Sequence, residues 1–157
     1  MKPPKVYLRP WEVGDTSFSL KVRNHPELMK WFRQDAPIKT AAQRAFIKQS
    51  KPDYYGYVIE ADKQPVGLCA VTTSGEFSIA ILPLWQRKGI AYKAMQILEA
   101  IARVYDKGML WSEVFVTNPA LSFYLHKCGF KAVSVQERKY FKEGIGQVDV
   151  VRIEKAL

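Results

Sequence analysis

The sequence predicts one mixed α/β (α+β) domain over residues 1–157, and three observations carry the prediction. First, Phe77-Ser78-Ile79-Ala80-Ile81-Leu82 alternates small and large side chains and leads into Gln86-Arg87-Lys88-Gly89-Ile90-Ala91. Ile90, Ala94, Ile97, Leu98, Ile101 and Tyr105 then recur at helical spacing, giving strand, glycine-containing turn and helix. Second, residues 54–61 and 66–73 form two strand-like runs around the turn Asp62-Lys63-Gln64. Third, Asn118-Pro119 pairs an N-cap residue with a proline at the first helical position, and Gly129 stands where a left-handed C′ residue ends a helix.

The remaining elements follow in order. Residues 6–10 read as the first strand. Asp15 caps a helix running toward Asn24, and Pro26 starts another that carries Leu28, Met29, Trp31 and Phe32. Thr40-Ala41-Ala42-Gln43 is a capping-box pattern ahead of Phe46 and Ile47. Ser74-Gly75 turns the chain into the strand that precedes the Gly89 turn. Residues 109–117 form a strand, and 130–137 and 147–153 close the chain as a strand pair joined through Gly144 and Gly146.

Bulk properties narrow the class. At 157 residues, 48% hydrophobic and 13% aromatic, the chain is long and apolar enough for a sizeable core. No run of about 18 apolar residues predicts a membrane span, and Met1-Lys2-Pro3-Pro4-Lys5 lacks the apolar centre of a signal peptide, so a cytoplasmic protein is expected. Cys69 and Cys128 fall within a strand and a helix without metal-ligand spacing. They read as buried free thiols, His25 and His126 as singletons, and no metal site is expected. The 24 Lys and Arg against 15 Asp and Glu give a net charge of +9. The excess is spread over Arg23, Lys30, Arg33, Lys39, Arg44, Lys48, Lys93, Arg138, Lys139 and Lys142, among others. It fits a solvated surface, an anionic small-molecule acceptor, or nucleic acid as a partner.

The turn at Gly89 carries the functional reading. A helix N-terminus presents free N–H groups and the positive end of its dipole, which suits a phosphate. Arg87 and Lys88 add charge there, and Gly89 lets the backbone approach a ligand. The spacing is neither Gly-x-x-x-x-Gly-Lys-Ser/Thr nor Gly-x-Gly-x-x-Gly, which removes the P-loop and the dinucleotide fingerprint.

What remains, Gln/Arg-x-x-Gly-x-Gly/Ala after a strand, resembles the pyrophosphate motif of the GNAT superfamily of acetyl-CoA-dependent N-acetyltransferases. The element order agrees along nearly the whole chain. Asn118 followed by a helix and Gly129-Phe130 is a second point of likeness. Leu8-Arg9-Pro10-Trp11-Glu12 with Asp15, and Arg23-Asn24-His25-Pro26 with Trp31-Phe32, are a third. They resemble the branch of ribosomal-protein alanine and sugar-nucleotide N-acetyltransferases.

The resemblance implies a central mixed, mostly antiparallel twisted sheet, flanked by helices and split between strands 4 and 5. It implies acetyl-CoA as cosubstrate, held by Gln86, Arg87, Lys88, Gly89, Ile90 and Ala91, with Asn118 facing the pantetheine arm. A backbone N–H at about Ile81 to Leu82 would face the thioester oxygen. The partners implied are acetyl-CoA and an amine acceptor, on a monomer or homodimer with no membrane.

Acid–base chemistry needs a proton acceptor for the attacking amine, because an alkylammonium has a pKa near 10. Glu76, five residues before Ile81, matches a glutamate of the family, with an ordinary turn glutamate as its alternative role, and Glu113 on the next strand is a second candidate, with a salt bridge as its alternative. Many family members place a tyrosine four residues before the glycine of Gly-Phe. Here that residue is Leu125, as is common in the ribosomal-protein branch, and Tyr124 precedes it by about 100° of helical rotation. Tyr124 is the candidate acid, with packing beside Leu121 and Cys128 as its alternative role. The expected function is acetyl transfer to a primary amine of an anionic small molecule such as a sugar nucleotide. The same chemistry on a protein N-terminus or on an amine of RNA or modified DNA, and a non-catalytic CoA- or nucleic-acid-binding module, are the alternatives.

Overall fold

The computed structural model describes residues 2–49 and 53–157; Met1 of the sequence reading lies outside them. Strands β1 (Val6–Pro10), β2 (Tyr54–Ala61), β3 (Gln64–Thr72) and β4 (Phe77–Ile81) form an antiparallel sheet in that order. The β2–β3 hairpin turns on Asp62 and Lys63, both at positive φ (49° and 69°), the backbone of a tight turn that matches strand twist. Strands β5 (Met109–Phe115), β6 (Lys131–Lys142) and β7 (Gly146–Ala156) form a second antiparallel sheet, in the order β5-β7-β6.

The two sheets meet at one place. Glu76 and Trp111 make a parallel bridge, and Trp111 N–H donates to Gly75 O at 3.0 Å. The Trp111 indole N–H donates to Ser74 O at 3.1 Å, and Lys107 Nζ to Thr73 O at 2.8 Å. Past this joint no ladder connects β4 and β5 among the described residues, so the sheet is split and opens toward their C-terminal ends.

Strand alternation sorts the two faces. Phe77, Ile79 and Ile81 pack with α4 (Ile90–Val104) and α5 (Ala120–His126) in the main core, around Met95, Leu98, Leu110 and Ile153. The opposite face is covered by α1 (Thr16–Arg23), α2 (Pro26–Met29) and α3 (Thr40–Gln49). Their cluster joins Val22, Leu28 and Ile47 to Trp11, Val58, Leu68 and Leu82.

Four local expectations are corrected. Asp15 flanks α1 but makes no side-chain cap there; its carboxylate takes two bonds from Arg9 (2.9 and 3.0 Å) and one from Glu12 N–H (2.8 Å). The helix begun at Pro26 stops at Met29. Trp31 and Phe32 N–H groups bond three residues back, which tightens the turn, and the side chains part company: Trp31 packs against Phe115, Val148 and Val150, Phe32 against the Trp11–Val22 cluster. Thr40 already lies inside α3, because Gln43 N–H reaches back to Lys39 O at 3.0 Å. The closing strands are longer than their apolar runs, since β6 is exposed along most of its length and the ladder to β7 continues through polar residues to Lys142 and Gly146.

Candidate functional site

Ile81, the turn over residues 86–91 and Asn118 lie toward the open end of the split, whereas Glu76 lies at the joint between the sheets and Tyr124 in the core. Leu82 N–H donates to Val66 O at 2.9 Å, so it is spent on β3. Thr72 N–H donates to Glu76 O at 2.8 Å in the same ladder. Because successive residues of a strand turn their backbone groups to opposite edges, those of Ile79 and Ile81 point the other way, across the gap toward β5. Of the pair Ile81 and Leu82, only Ile81 therefore aims its N–H into the split. Its carbonyl is occupied by Gln86 Nε2, which donates at 2.9 Å and fastens the turn to the strand end.

The chain then passes through Arg87 (φ +61°) to Gly89 (φ +78°), which precedes α4 in the left-handed region. The first helical bond here runs from Lys93 N–H to Gly89 O (3.3 Å), so the N–H groups of Ile90, Ala91 and Tyr92 precede the ladder and point out of the helix end. Ile90 is buried and anchors the turn, Ala91 packs on the core, and Arg87, Lys88 and Gly89 are exposed. A Cβ on Gly89 would meet nothing within 4 Å, so the space in front of this cradle is open. Chemically it suits a pyrophosphate: fixed N–H donors, a helix dipole and two cations.

Across the split, Asn118 Oδ1 accepts from Ala120 N–H at 2.9 Å and its carbonyl from Leu121 N–H at 3.0 Å, starting α5 at the C-terminal end of β5. The helix ends at His126, earlier than expected, with Lys127 as its C-cap; the left-handed residue Gly129 (φ +80°) follows two positions on, and Phe130 N–H closes on Tyr124 O at 3.1 Å.

Glu76 and Glu113 share the face opposite α4, and one side chain joins them. Arg33 Nη2 lies 3.9 Å from a carboxylate oxygen of each. Lys139 Nζ adds a tight pair with Glu113 at 2.6 and 2.8 Å, which raises the pKa of that ammonium. Both cations sit over the ring of Tyr140. Beside this cluster a polar cleft is lined by Glu113, Ser134, Gln136, Val150 and Arg152. The Arg152 guanidinium lies over the Trp111 ring at 3.9 Å and is held by Glu154 at 3.2 Å. Sequence reasoning counted Arg33 and Lys139 only as spread charge and did not single out Arg152. Residues 33, 76, 113, 139 and 152 come from separate elements, and no local pattern marks them as neighbours.

Tyr124 lies elsewhere. Its ring is buried against Phe77, Phe123 and Phe130, near the closed end of the split, and burial pushes its phenol pKa up. Cys69 and Cys128 are buried free thiols; burial raises both, Cys128 to about 11. Among the described residues no group of His, Cys, Asp and Glu could hold a metal, and no helix is long and apolar enough to cross a membrane.

A split sheet with a helix N-terminus at its open end gives a cleft whose backbone N–H groups suit a pyrophosphate. The chain belongs to the GNAT acetyltransferase family, whose domain model matches residues 5–131. It is an N-acetyltransferase, and acetyl-CoA is its cosubstrate. Its fold is similar to that of a spermidine N-acetyltransferase from Vibrio cholerae in complex with CoA and spermine (TM-score 0.85, 22% identity, covering 96% of this chain and 95% of that one). It is also similar to a ribosomal-protein-alanine N-acetyltransferase from Brucella melitensis (0.84, 16%, 96% and 99%). A third is yncA from Salmonella typhimurium with its cofactor acetyl-CoA (0.82, 20%, 98% and 94%). At these identities the likeness is one of fold. No curated protein matches the chain by sequence.

Proposed function

We propose that the enzyme acetylates a primary amine on an anionic, hydroxyl-bearing small molecule such as a sugar nucleotide, bound on the face that carries Glu76 and Glu113. The carrying observation is that both carboxylates are already neutralised by Arg33 and Lys139, on a protein of net charge +9. A polycation would have to displace these residents and approach against the field of the whole molecule. An anion approaches with it, and Ser134, Gln136 and Arg152 offer hydrogen bonds to its body.

In this reading the N–H groups from Gly89 to Tyr92, with Arg87 and Lys88, hold the pyrophosphate of acetyl-CoA. Asn118 faces its pantetheine arm across the split. The cosubstrate supplies a thioester carbonyl. Ile81 N–H faces the oxygen of that carbonyl and stabilises the charge that develops there.

Glu76 stands five strand residues from Ile81, about 16 Å at 3.3 Å per residue. It is therefore out of contact with the amine and takes its proton only along a chain of several waters, with Glu113 beside it. The amine nitrogen bonds to the carbonyl carbon, the carbon–sulfur bond breaks, and the CoA thiol leaves. A free thiol has a pKa near 8.5, so the leaving sulfur needs little help from an acid. Tyr124, packed in the core, serves the fold. Two reduced, buried thiols suit a cytoplasmic setting.

The test is acetyl-CoA turnover against an amino-sugar nucleotide, an alanine-terminated peptide, a polyamine and an amine-bearing oligonucleotide. The amino-sugar nucleotide is expected to give the highest kcat/KM; a polyamine or macromolecule ahead of it overturns the acceptor assignment. Glu76→Gln should lower turnover about 10²-fold and flatten the acidic limb of the pH–rate profile, with CoA affinity unchanged.

A further inference from the structure

Lys142 ends β6 and is 5% exposed, yet among the described residues no carboxylate lies within ion-pair distance of its ammonium. Nζ instead donates to three carbonyls of one distant segment: Met29 O (3.3 Å), Phe32 O (2.7 Å) and Gln34 O. A buried cation is tolerated only when its protons are taken up, and all three are. The acceptors are not arbitrary. Met29 closes α2, whose four residues are too few to be stable alone and whose C-terminal carbonyls favour a cation. Phe32 and Gln34 flank Arg33, the residue that bridges Glu76 and Glu113. Lys142 thus fixes the backbone on both sides of Arg33.

We propose that Lys142 is a positioning residue for catalysis, holding the Met29–Gln34 segment so that the Arg33 guanidinium stands between Glu76 and Glu113. The inference rests on the proposal that the acceptor binds on that face. Side-chain bonds at the end of the segment agree with a built turn: Asn24 bonds Ile38 through both its oxygen (2.7 Å) and its nitrogen (2.9 Å), and Gln34 bonds Asn24 and Ala36. These contacts tie the segment's C-terminal end to Asn24 and to residues 36–38. Among the described residues, Lys142 is the one side chain that ties its carbonyls to the second sheet. Burial pushes its ammonium below the ordinary lysine range, with Asp35 acting against this.

The experiment is a double-mutant cycle on the full chain, with KM for the acceptor as the readout and acetyl-CoA affinity as the control. Lys142→Met keeps the stem and removes the donors. It is expected to raise acceptor KM about 10- to 10²-fold, as a misplaced positioning group does, with acetyl-CoA affinity unchanged. Arg33→Met alone should raise KM as well. In the Arg33→Met background, Lys142→Met should then change KM less than about twofold, because coupled residues are not additive. Lys142→Arg, which restores charge and donors, should recover most of the loss. It also serves as the informative variant if Lys142→Met does not fold.

Additive effects on KM, or a lowered melting temperature in Lys142→Met with acceptor KM unchanged, overturn the positioning role and leave Lys142 as structural. If Arg33→Met leaves acceptor KM unchanged, the acceptor-face proposal itself fails, and this inference with it.

Discussion

Gly89 shows how one residue serves two demands. Its φ of +78° is open to glycine and strained for a side chain, and the space before it is empty of protein. Gly89→Val meets both limits: about 1–2 kcal/mol of backbone strain and a branched side chain where the pyrophosphate would lie. We expect calorimetry to show CoA affinity lowered more than about tenfold, roughly 1.4 kcal/mol or more; unchanged affinity removes the cradle from the mechanism. Tyr124 is the opposite case, a reactive residue type enclosed by Phe77, Phe123 and Phe130. Tyr124→Phe keeps the ring and removes the hydroxyl, so turnover should stay within about twofold. A fall near 10²-fold in folded protein would make Tyr124 the general acid.

At the scale of elements, two ends carry separable roles. Asn118 starts α5 by accepting from Ala120 N–H. Asn118→Ala should cost about 1 kcal/mol in denaturant unfolding as a lost cap, and it should also weaken CoA binding. A loss of stability with full CoA affinity confines Asn118 to the fold. At the other end, Asp15 ties the turn before α1 to β1 through Arg9. That bidentate pair, followed by desolvation acting against it and by the bond from Glu12 N–H, holds the carboxyl below its ordinary 3.8.

A depressed folded pKa gives stability that is complete above 3.8 and is lost as pH falls through the folded value. Asp15→Asn should therefore destabilise by about 1 kcal/mol near neutrality, a modest figure because Arg9 is partly exposed. The gap to the parent should close progressively below 3.8. Urea midpoints from neutral to strongly acidic pH give the answer, and a gap that persists in acid would mean that packing rather than charge is lost.

For the molecule as a whole, the split sheet separates two chemistries. The N-terminus of α4 lies at the open end, while the carboxylates lie on the opposite face beside Arg33 and Lys139. The +9 charge acts on both ligands at long range. Raising ionic strength from about 0.01 M to 1 M shortens the Debye length from about 30 Å to 3 Å. The kcat/KM for an anionic acceptor should fall several-fold over that range as steering is screened, and that for a polyamine should rise. A salt-independent kcat/KM for the anion would mean that the charge is a solubility feature with no role in capture.

The strands and helices were legible because their signals are local. Alternation placed 6–10 and 54–61 within the observed strands, asparagine marked the start of α5, and the spacing around Gly89 pointed to the family. The helix after Pro26 was overestimated, because Trp31 and Phe32 are both apolar and sequence cannot show that they pack into different clusters.

The cluster around Glu76 and Glu113 was hidden for the same reason. Arg33, Glu76, Glu113, Lys139 and Arg152 meet only after the strand order β5-β7-β6 is set, and Lys142 reaches segment 29–34 across more than a hundred residues of chain. What the sequence determined by itself was the element order, the helix N-terminus that suits a phosphate and the acetyltransferase family, all written in neighbouring residues. Which N–H enters the split, which carboxylates stand together and what neutralises them were decided by the tertiary structure alone, because edge direction and charge pairing depend on which strands become neighbours in space.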